Sequence, residues 1–343
     1  MSAEKFLVEA YTRRQVFIQR FANGTWEELK PIFNNIASEI QKRIKLSDNE
    51  VRQKSLARLL QDVEAVIEEG KQEFDKELRQ RLTEFVEEEI EFDNQTYSQV
   101  TTEPVSNPDE FNHSAIVAGA VAALTIGTEN EQRLTNEQMS DRLFSNTSKE
   151  VKGVISTGVI AQTNFTELLK RVRQKVGTKL PNIARTVVAT STNSVGAAAR
   201  GAFTTANGLI FGEERYVAVL DARTTLTCAG LDGNIYAVNQ GPKPPLHYNC
   251  RSTRVPIPRS RFIRPQASNL AVGRNQTFAQ FLRQQPQSFQ DEFFGKFRNG
   301  AELQRLAQQG GLNVNQLIDP SGAQMTLQEI RNSYPVAWEQ ANL

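Results

Sequence analysis

The chain has 343 residues, 39% of them hydrophobic, and 40 Lys and Arg against 39 Asp and Glu give it a formal net charge of +1. This balance excludes the strongly basic and strongly acidic protein classes, and the length predicts about two domains. Two cysteines in so long a chain argue against a disulfide-stapled secreted fold. With no signal-peptide pattern and no apolar run of membrane-spanning length, we expect a soluble protein without stable membrane insertion.

The first predicted region, 1–100, is built from long helices. Residues 51–92 place apolar side chains at three- and four-residue spacings, which predicts one long amphipathic helix or two helices joined near Gly70. A hairpin in a helical bundle is the favoured interpretation, and a heptad stalk for self-association is the alternative. Residues 62–93 are also strongly acidic. We expect this acidic helix to face away from the basic part of the chain.

The second region, 101–149, begins as a linker with Pro104 and Pro108. The small apolar residues of 115–127 predict a buried helix, the alternative being a segment that touches a membrane. Further helices are expected over about 137–160, 164–176 and 182–207. After the central segment, a basic extended strap follows residue 255. A helical extension, 265–343, should then hold helices near 278–294, 301–309 and 327–332, with a turn at 319–322.

The segment 216–256 concentrates the reactive side chains of the chain. An apolar strand (216–220) precedes Asp221, an Asp232-Gly233 turn follows, and a second strand (234–238) leads into a Pro/Gly loop. This pattern predicts a small antiparallel sheet. The motif residues expected to hold it together are Asp221, Arg223, Thr224, Asp232, Gly233 and Arg251. Asp221 with Arg223, Arg251 or Arg254 forms a polar cluster in this interpretation, because buried charges need partners.

Cys228, His247 and Cys250 are the candidate metal ligands. Two thiolates and an imidazole with His-x-x-Cys spacing suit tetrahedral zinc, with Asp221 or a water as the fourth ligand. A Cys228–Cys250 disulfide, stabilising by about 3 kcal/mol, and two reduced buried cysteines are the alternatives. A catalytic Cys-His-Asp arrangement is disfavoured, and phosphate-loop and protease motifs are missing from the sequence. We therefore predict no enzyme activity and no required cofactor, zinc being the one candidate.

Positive charge predominates over 165–264, which could follow DNA phosphates. A solvated face is the alternative interpretation. The side chains chosen as candidate DNA contacts are Lys170, Arg171, Arg173 and Lys175.

The residues of the central segment resemble a known signature. It reads Asp-x-Arg-Thr-(Ser/Thr), Cys, an Asp-Gly turn, a Pro-rich loop and His-x-x-Cys-Arg, and here these are Asp221, Arg223, Thr224, Thr225, Cys228, Asp232, Gly233, Pro242, Pro244, Pro245, His247, Cys250 and Arg251. The pattern is similar to that of the phage Mu F-like minor head proteins, also called the phage head-morphogenesis domain. Leu231 and Ser252 stand where many relatives have further cysteines.

The resemblance implies an α+β, mostly helical fold with the Mu F-like domain at 150–264. It also implies a minor structural protein of a tailed-phage virion, assembled in the host cytoplasm and held inside the head near the portal vertex. Its expected partners are the portal protein, a scaffold or major capsid protein, and packaged double-stranded DNA. The alternatives are a virion-carried enzyme of toxin or nuclease type, and a DNA-binding ejection protein.

Overall fold

The computed structural model describes residues 3–47, 53–108, 113–123, 133–264 and 276–343. Helices predominate, and a three-stranded antiparallel sheet lies in the second half of the chain. The predicted α+β, mostly helical fold class is confirmed. Within the described residues, no helix is both long enough and apolar enough to cross a bilayer.

Two long helices, α1 (Ala3–Ser47) and α2 (Gln53–Ser98), pack against each other as an antiparallel pair. The apolar stripe of α2 is buried, as the spacing predicts. Gly70 does not divide this helix. A Cβ there would lie 2.4 Å from Ile36 Cδ1 of α1, so the glycine lets the two helices approach closely.

The apolar run 115–127 is not one helix, contrary to the prediction. Helix α3 (His113–Gly119) is followed by strand β1 (Val121–Ala123), which pairs antiparallel with β2 (Arg133–Thr135). Pairing with β2 supplies the backbone hydrogen bonds that a longer helix would have made within itself. Residues 124–127 lie outside the described part of the chain.

The next three helices confirm the predicted order. These are α4 (Asn136–Ile160), α5 (Phe165–Gln174) and α6 (Leu180–Ala206), with a π-helical turn (Lys175–Lys179) leading into α6. Helix α6 packs against both helices of the α1–α2 pair. A Cβ at Gly196 would lie 3.4 Å from Phe85 Cε1 and 3.6 Å from Ile18 Cδ1, so the three helices meet closely at this point.

The sheet has the order β4-β3-β5, with both pairs antiparallel. Its strands are β3 (Phe211–Val217), β4 (Ile235–Ala237) and β5 (Thr253–Pro258), and a short helix α7 (Leu226–Leu231) joins β3 to β4. The predicted strand 216–220 is wrong at both ends. β3 ends at Val217 because the next amide, that of Ala218, bonds the Asp232 carboxylate instead of a neighbouring strand. The extended strap begins as β5.

Short helices make up the C-terminal part. They are α8 (Phe278–Arg283), α9 (Gln287–Phe294), α10 (Gly300–Gln308), α11 (Leu327–Ser333) and α12 (Pro335–Gln340). The single predicted helix 278–294 is wrong, because Pro286 ends the first helix and precedes the second. The helix at 335–340 was not predicted.

In the described part of the chain, buried apolar side chains form three clusters. The largest draws on α1 through α6, the second joins α7 and the Cys250 region to the C-terminal helices, and the third lies between the sheet and the ends of α1, α2 and α6. Side chains from 1–100 and from 150–264 therefore share one core. The proposed division at residues 100, 149 and 264 stays a prediction.

Candidate functional site

The turn after β3 is built around Asp221. Both carboxylate oxygens accept hydrogen bonds from Arg251, at 2.5 and 2.6 Å, and Oδ1 also accepts from the Arg223 amide at 2.9 Å. Burial would raise the pKa of Asp221, but the hydrogen bonds and charge of Arg251 outweigh it and hold the pKa below its ordinary value. Thr224 closes the turn by donating to the Val219 carbonyl at 2.5 Å. The expected polar cluster thus forms with Arg251.

The other two arginines proposed for this cluster behave differently. The Arg223 guanidinium is 3.7 Å from Asp221, and its side chain is 78% exposed. Arg254 is buried and pairs with Glu214 at 3.1 Å across β5 and β3, so it belongs to a separate ion pair. The sequence indicated Asp221 as the acidic residue and three arginines as its candidate partners, and only the fold selects Arg251.

Asp232 joins the sheet to the C-terminal helices. Its Oδ1 accepts from the Ala218 amide and its Oδ2 from the Phe278 amide at the start of α8, both at 2.7 Å. The next residue, Gly233, has φ +88, a conformation that favours glycine. The predicted Asp-Gly turn therefore also anchors α8, which the sequence did not indicate.

The two cysteines and His247 come together beneath this frame. Cys228 Sγ lies 3.2 Å from His247 Nε2 and 3.8 Å from Cys250 Sγ, and the three ligand atoms lie within 4.8 Å of one another. Both cysteines are free and buried. Thr225 caps α7 by accepting from the Cys228 amide at 3.3 Å, and its Oγ1 is 3.1 Å from His247 Nε2.

Electrostatics make the two thiols unequal. The hydrogen bond with Cys250, and further that with His247, hold the pKa of Cys228 well below its ordinary value despite burial. Burial and the adjacent Cys228 raise the pKa of Cys250. Burial would lower the pKa of His247, but its contact with Cys228 raises it. Cys228 is therefore the more acidic thiol of the pair.

Helix α6 holds the loop that carries His247 and Cys250. Asn193 Nδ2 donates to the Cys250 carbonyl at 2.8 Å, and the Asn249 amide donates to Thr190 Oγ1 at 3.0 Å. Sequence reasoning missed Thr190 and Asn193. The available signal was a polar run, 190–194, between the apolar stretches 187–189 and 195–199 of the helix, since buried polar residues need partners.

The parts of a catalytic triad are not assembled. Cys228 and His247 are in hydrogen-bond reach, but Asp221 is committed to Arg251, and it is the Tyr248 carbonyl that accepts from His247 Nδ1 at 2.9 Å. Cys228 is 2% exposed and Cys250 is 0% exposed, so a substrate could not reach either sulfur without rearrangement.

A second buried polar cluster joins α6 to the α1–α2 pair. Arg200 donates to Glu89 at 2.9 Å, Arg14 donates to the other oxygen of Glu89 at 2.7 Å, and Tyr11 donates to Asp93 at 2.5 Å. Glu89 and Asp93 are 0% exposed. The expectation that the acidic stretch faces away from the basic one is therefore wrong at these two residues, because Arg200 needs a buried counter-charge.

The candidate DNA contacts lie on α5 and the π-helical turn. Arg171 pairs with Glu167 at 3.1 Å, Lys170 lies 3.9 Å from the same glutamate, and Lys175 pairs with Glu150 at 3.1 Å. Arg173 is exposed, one turn after Lys170 and two residues before Lys175. Much of the positive charge of 165–264 is thus matched by acids of the same chain.

Comparison with known proteins agrees with the signature. Residues 149–255 match the model of the family described as Phage Mu protein F like protein, and this stretch runs from within α4 into β5. No curated protein and no solved structure matches the chain. The matched stretch contains the Asp221 turn, the Asp232 anchor and the Cys228–His247–Cys250 cluster. The resemblance read from those residues is thereby confirmed: the matched stretch, 149–255, is similar to the phage Mu F-like head-morphogenesis family.

Proposed function

We propose that the protein is a minor structural component of a tailed-phage head, held inside the capsid near the portal vertex. There it acts in head morphogenesis and in the packaging or ejection of DNA. The observation that carries this proposal is that the family match coincides with a signature whose polar groups are committed to holding the fold together. Asp221 bonds Arg251, and Asp232 bonds two backbone amides.

The α1–α2 pair, the matched stretch and the C-terminal helices are bonded to one another, which suits an architectural role. Arg200 of the matched stretch pairs with Glu89 of α2, and Asp232 of the same stretch bonds the first amide of α8. Buried polar bonds of this kind hold helices and strands in one arrangement. Removing one partner of such a bond strongly destabilises the fold. A rigid body of this kind is suited to bridging two other proteins. The portal protein, a scaffold or major capsid protein, and a second copy of this chain are the partners we propose.

DNA is a further proposed partner. Helix α5 and the π-helical turn supply four cations, three of them exposed and Lys175 half-buried, and neighbouring glutamates offset part of that charge. Contacts would be to phosphates, so binding would be weak, independent of sequence and sensitive to salt. The residues proposed are Lys170, Arg171, Arg173 and Lys175.

A virion-carried enzyme is the competing proposal, and the contact between Cys228 and His247 is the observation in its favour. A phage deleted for this gene separates the two. We expect fewer DNA-filled, infectious heads without the gene, and recovery when the gene is supplied from a plasmid. An unchanged yield of infectious particles would contradict a role in morphogenesis. Full loss of function in a Cys228→Ala variant that enters heads at the wild-type level would favour the enzyme.

A further inference from the structure

Three metal-ligating atoms converge from two separate parts of the signature. Cys228 comes from α7, whereas His247 and Cys250 come from the loop before β5. Two Zn–S bonds of about 2.3 Å meeting at a tetrahedral angle separate their sulfur atoms by about 3.8 Å. The Cys228 and Cys250 sulfur atoms are 3.8 Å apart. We propose that Cys228, His247 and Cys250 bind a zinc-class divalent metal ion that stabilises the Mu F-like domain.

The imidazole is oriented as a metal ligand. Because the Tyr248 carbonyl can only accept, His247 Nδ1 carries the hydrogen that spans the 2.9 Å between them. Nε2 is then the atom that faces Cys228, at 3.2 Å. A histidine that donates one ring N–H to a backbone carbonyl and directs the other nitrogen at the metal is the usual arrangement in protein metal sites. A metal at Nε2 displaces any proton held there.

The backbone on both sides of the site is held in place. The Thr225 cap positions α7 and thereby Cys228, and the Tyr216 hydroxyl donates to Cys228 Sγ at 3.3 Å. On the other side, Asn193 holds the Cys250 carbonyl at 2.8 Å. Ligands that are positioned before the metal arrives do not have to be ordered by its binding.

The fourth ligand is a water molecule in this proposal. Asp221, the carboxylate considered from the sequence, is not among the converging ligand atoms, and Arg251 bonds both of its oxygens. The Thr225 hydroxyl lies 3.1 Å from His247 Nε2, close enough to hydrogen-bond a metal-bound water. A disulfide would instead require the two sulfur atoms to close from 3.8 Å to about 2 Å.

Elemental analysis of the purified full-length chain tests the proposal. We expect stoichiometric zinc in the wild type, and at least a ten-fold lower content in Cys228→Ser and in Cys250→Ser. The matched control is His113→Gln, which changes the other histidine of the chain and should retain zinc, since His113 lies on α3 against Glu87. Protein without zinc, whose two thiols react freely or react only after reduction, would overturn the proposal.

The cysteine variants could fail to fold, so a second measurement uses the wild type alone. Metal is removed with a chelator and Co²⁺ is added to the same sample. We expect the intense thiolate-to-cobalt absorption and the visible bands of tetrahedral cobalt, with the melting temperature restored by either metal. No spectral change and no shift in melting temperature on adding Co²⁺ or Zn²⁺ would contradict the site.

Discussion

Replacing Arg200 with Met should weaken the contact between the α1–α2 pair and the matched stretch and so lower the free energy of unfolding. The guanidinium is 3% exposed, donates to Glu89 at 2.9 Å and also bonds the Thr253 hydroxyl of β5. It lies over the Tyr11 ring, with its central carbon 4.5 Å from the ring centroid. Arg200→Met keeps much of the side-chain volume and removes the charge and every donor.

The expected loss of unfolding free energy follows from the acidic groups that stay buried after the substitution. Glu89 is 0% exposed and would retain Arg14 as its ion-pair partner, while Asp93 would lose the nearby positive charge. Removing one partner of a buried ion pair costs about 3–5 kcal/mol, because the other charge stays buried without compensation. For a chain of this size that corresponds to a fall of about 4–7 °C in melting temperature.

Urea unfolding followed by circular dichroism measures the loss, and Arg185→Met is the matched control. Arg185 lies on the same helix, and its exposed guanidinium bonds only Asn23 among the described residues. We expect the control to change the unfolding free energy by less than about 0.5 kcal/mol. Adding Glu89→Gln to Arg200→Met should recover part of the loss. A loss for Arg200→Met as small as that of the control would refute the reasoning.

Three further predictions concern other polar groups. Burial raises the pKa of Asp93 to about 7, so the stability that its protonated carboxyl contributes is full below about pH 4 and is lost as pH rises through 7. The difference in unfolding free energy between Asp93→Asn and wild type should therefore shift in favour of the variant from about pH 5 to about pH 8. An equal difference at the two pH values in urea unfolding would contradict this. Asp232→Ala leaves two buried amides without an acceptor and should cost about 2–4 kcal/mol of unfolding free energy. An unchanged unfolding free energy would contradict the role of Asp232 as an anchor. Replacing Arg171, Arg173 and Lys175 with Ala should flatten the salt dependence of duplex binding in fluorescence anisotropy, whose log–log slope is roughly −0.9 per phosphate; wild-type protein that binds neither of two unrelated duplexes at low salt would remove DNA from the partners.

The long helices could be predicted from the sequence because their signals are local. Apolar spacing located α2, and the expected starts and ends of α4 and α6 lie within a few residues of those observed. The misplaced elements depend on distant residues. Val121 is in a strand because Thr135 lies opposite it, and β3 ends because Asp232 takes the next amide. Composition in a short window carries no information on either partner.

The candidate site, too, could be predicted from the sequence only in part. Residue types and His-x-x-Cys spacing identified Cys228, His247 and Cys250 as one group, and the fold brings all three together. Their supports on α6 could not be read from the sequence, because Asn193 reaches a carbonyl 57 residues away. The Glu89–Arg200 pair spans 111 residues for the same reason, although both side chains occupy inward positions of their helices.

The central claim is that this chain is a structural part of a phage head. Quantitative mass spectrometry of gradient-purified procapsids and mature virions tests it most directly, with the portal protein as the internal standard for copy number. We expect the full-length chain in both particle types, in few copies per head and at a constant ratio to the portal protein. Its absence from both procapsids and virions would contradict the account.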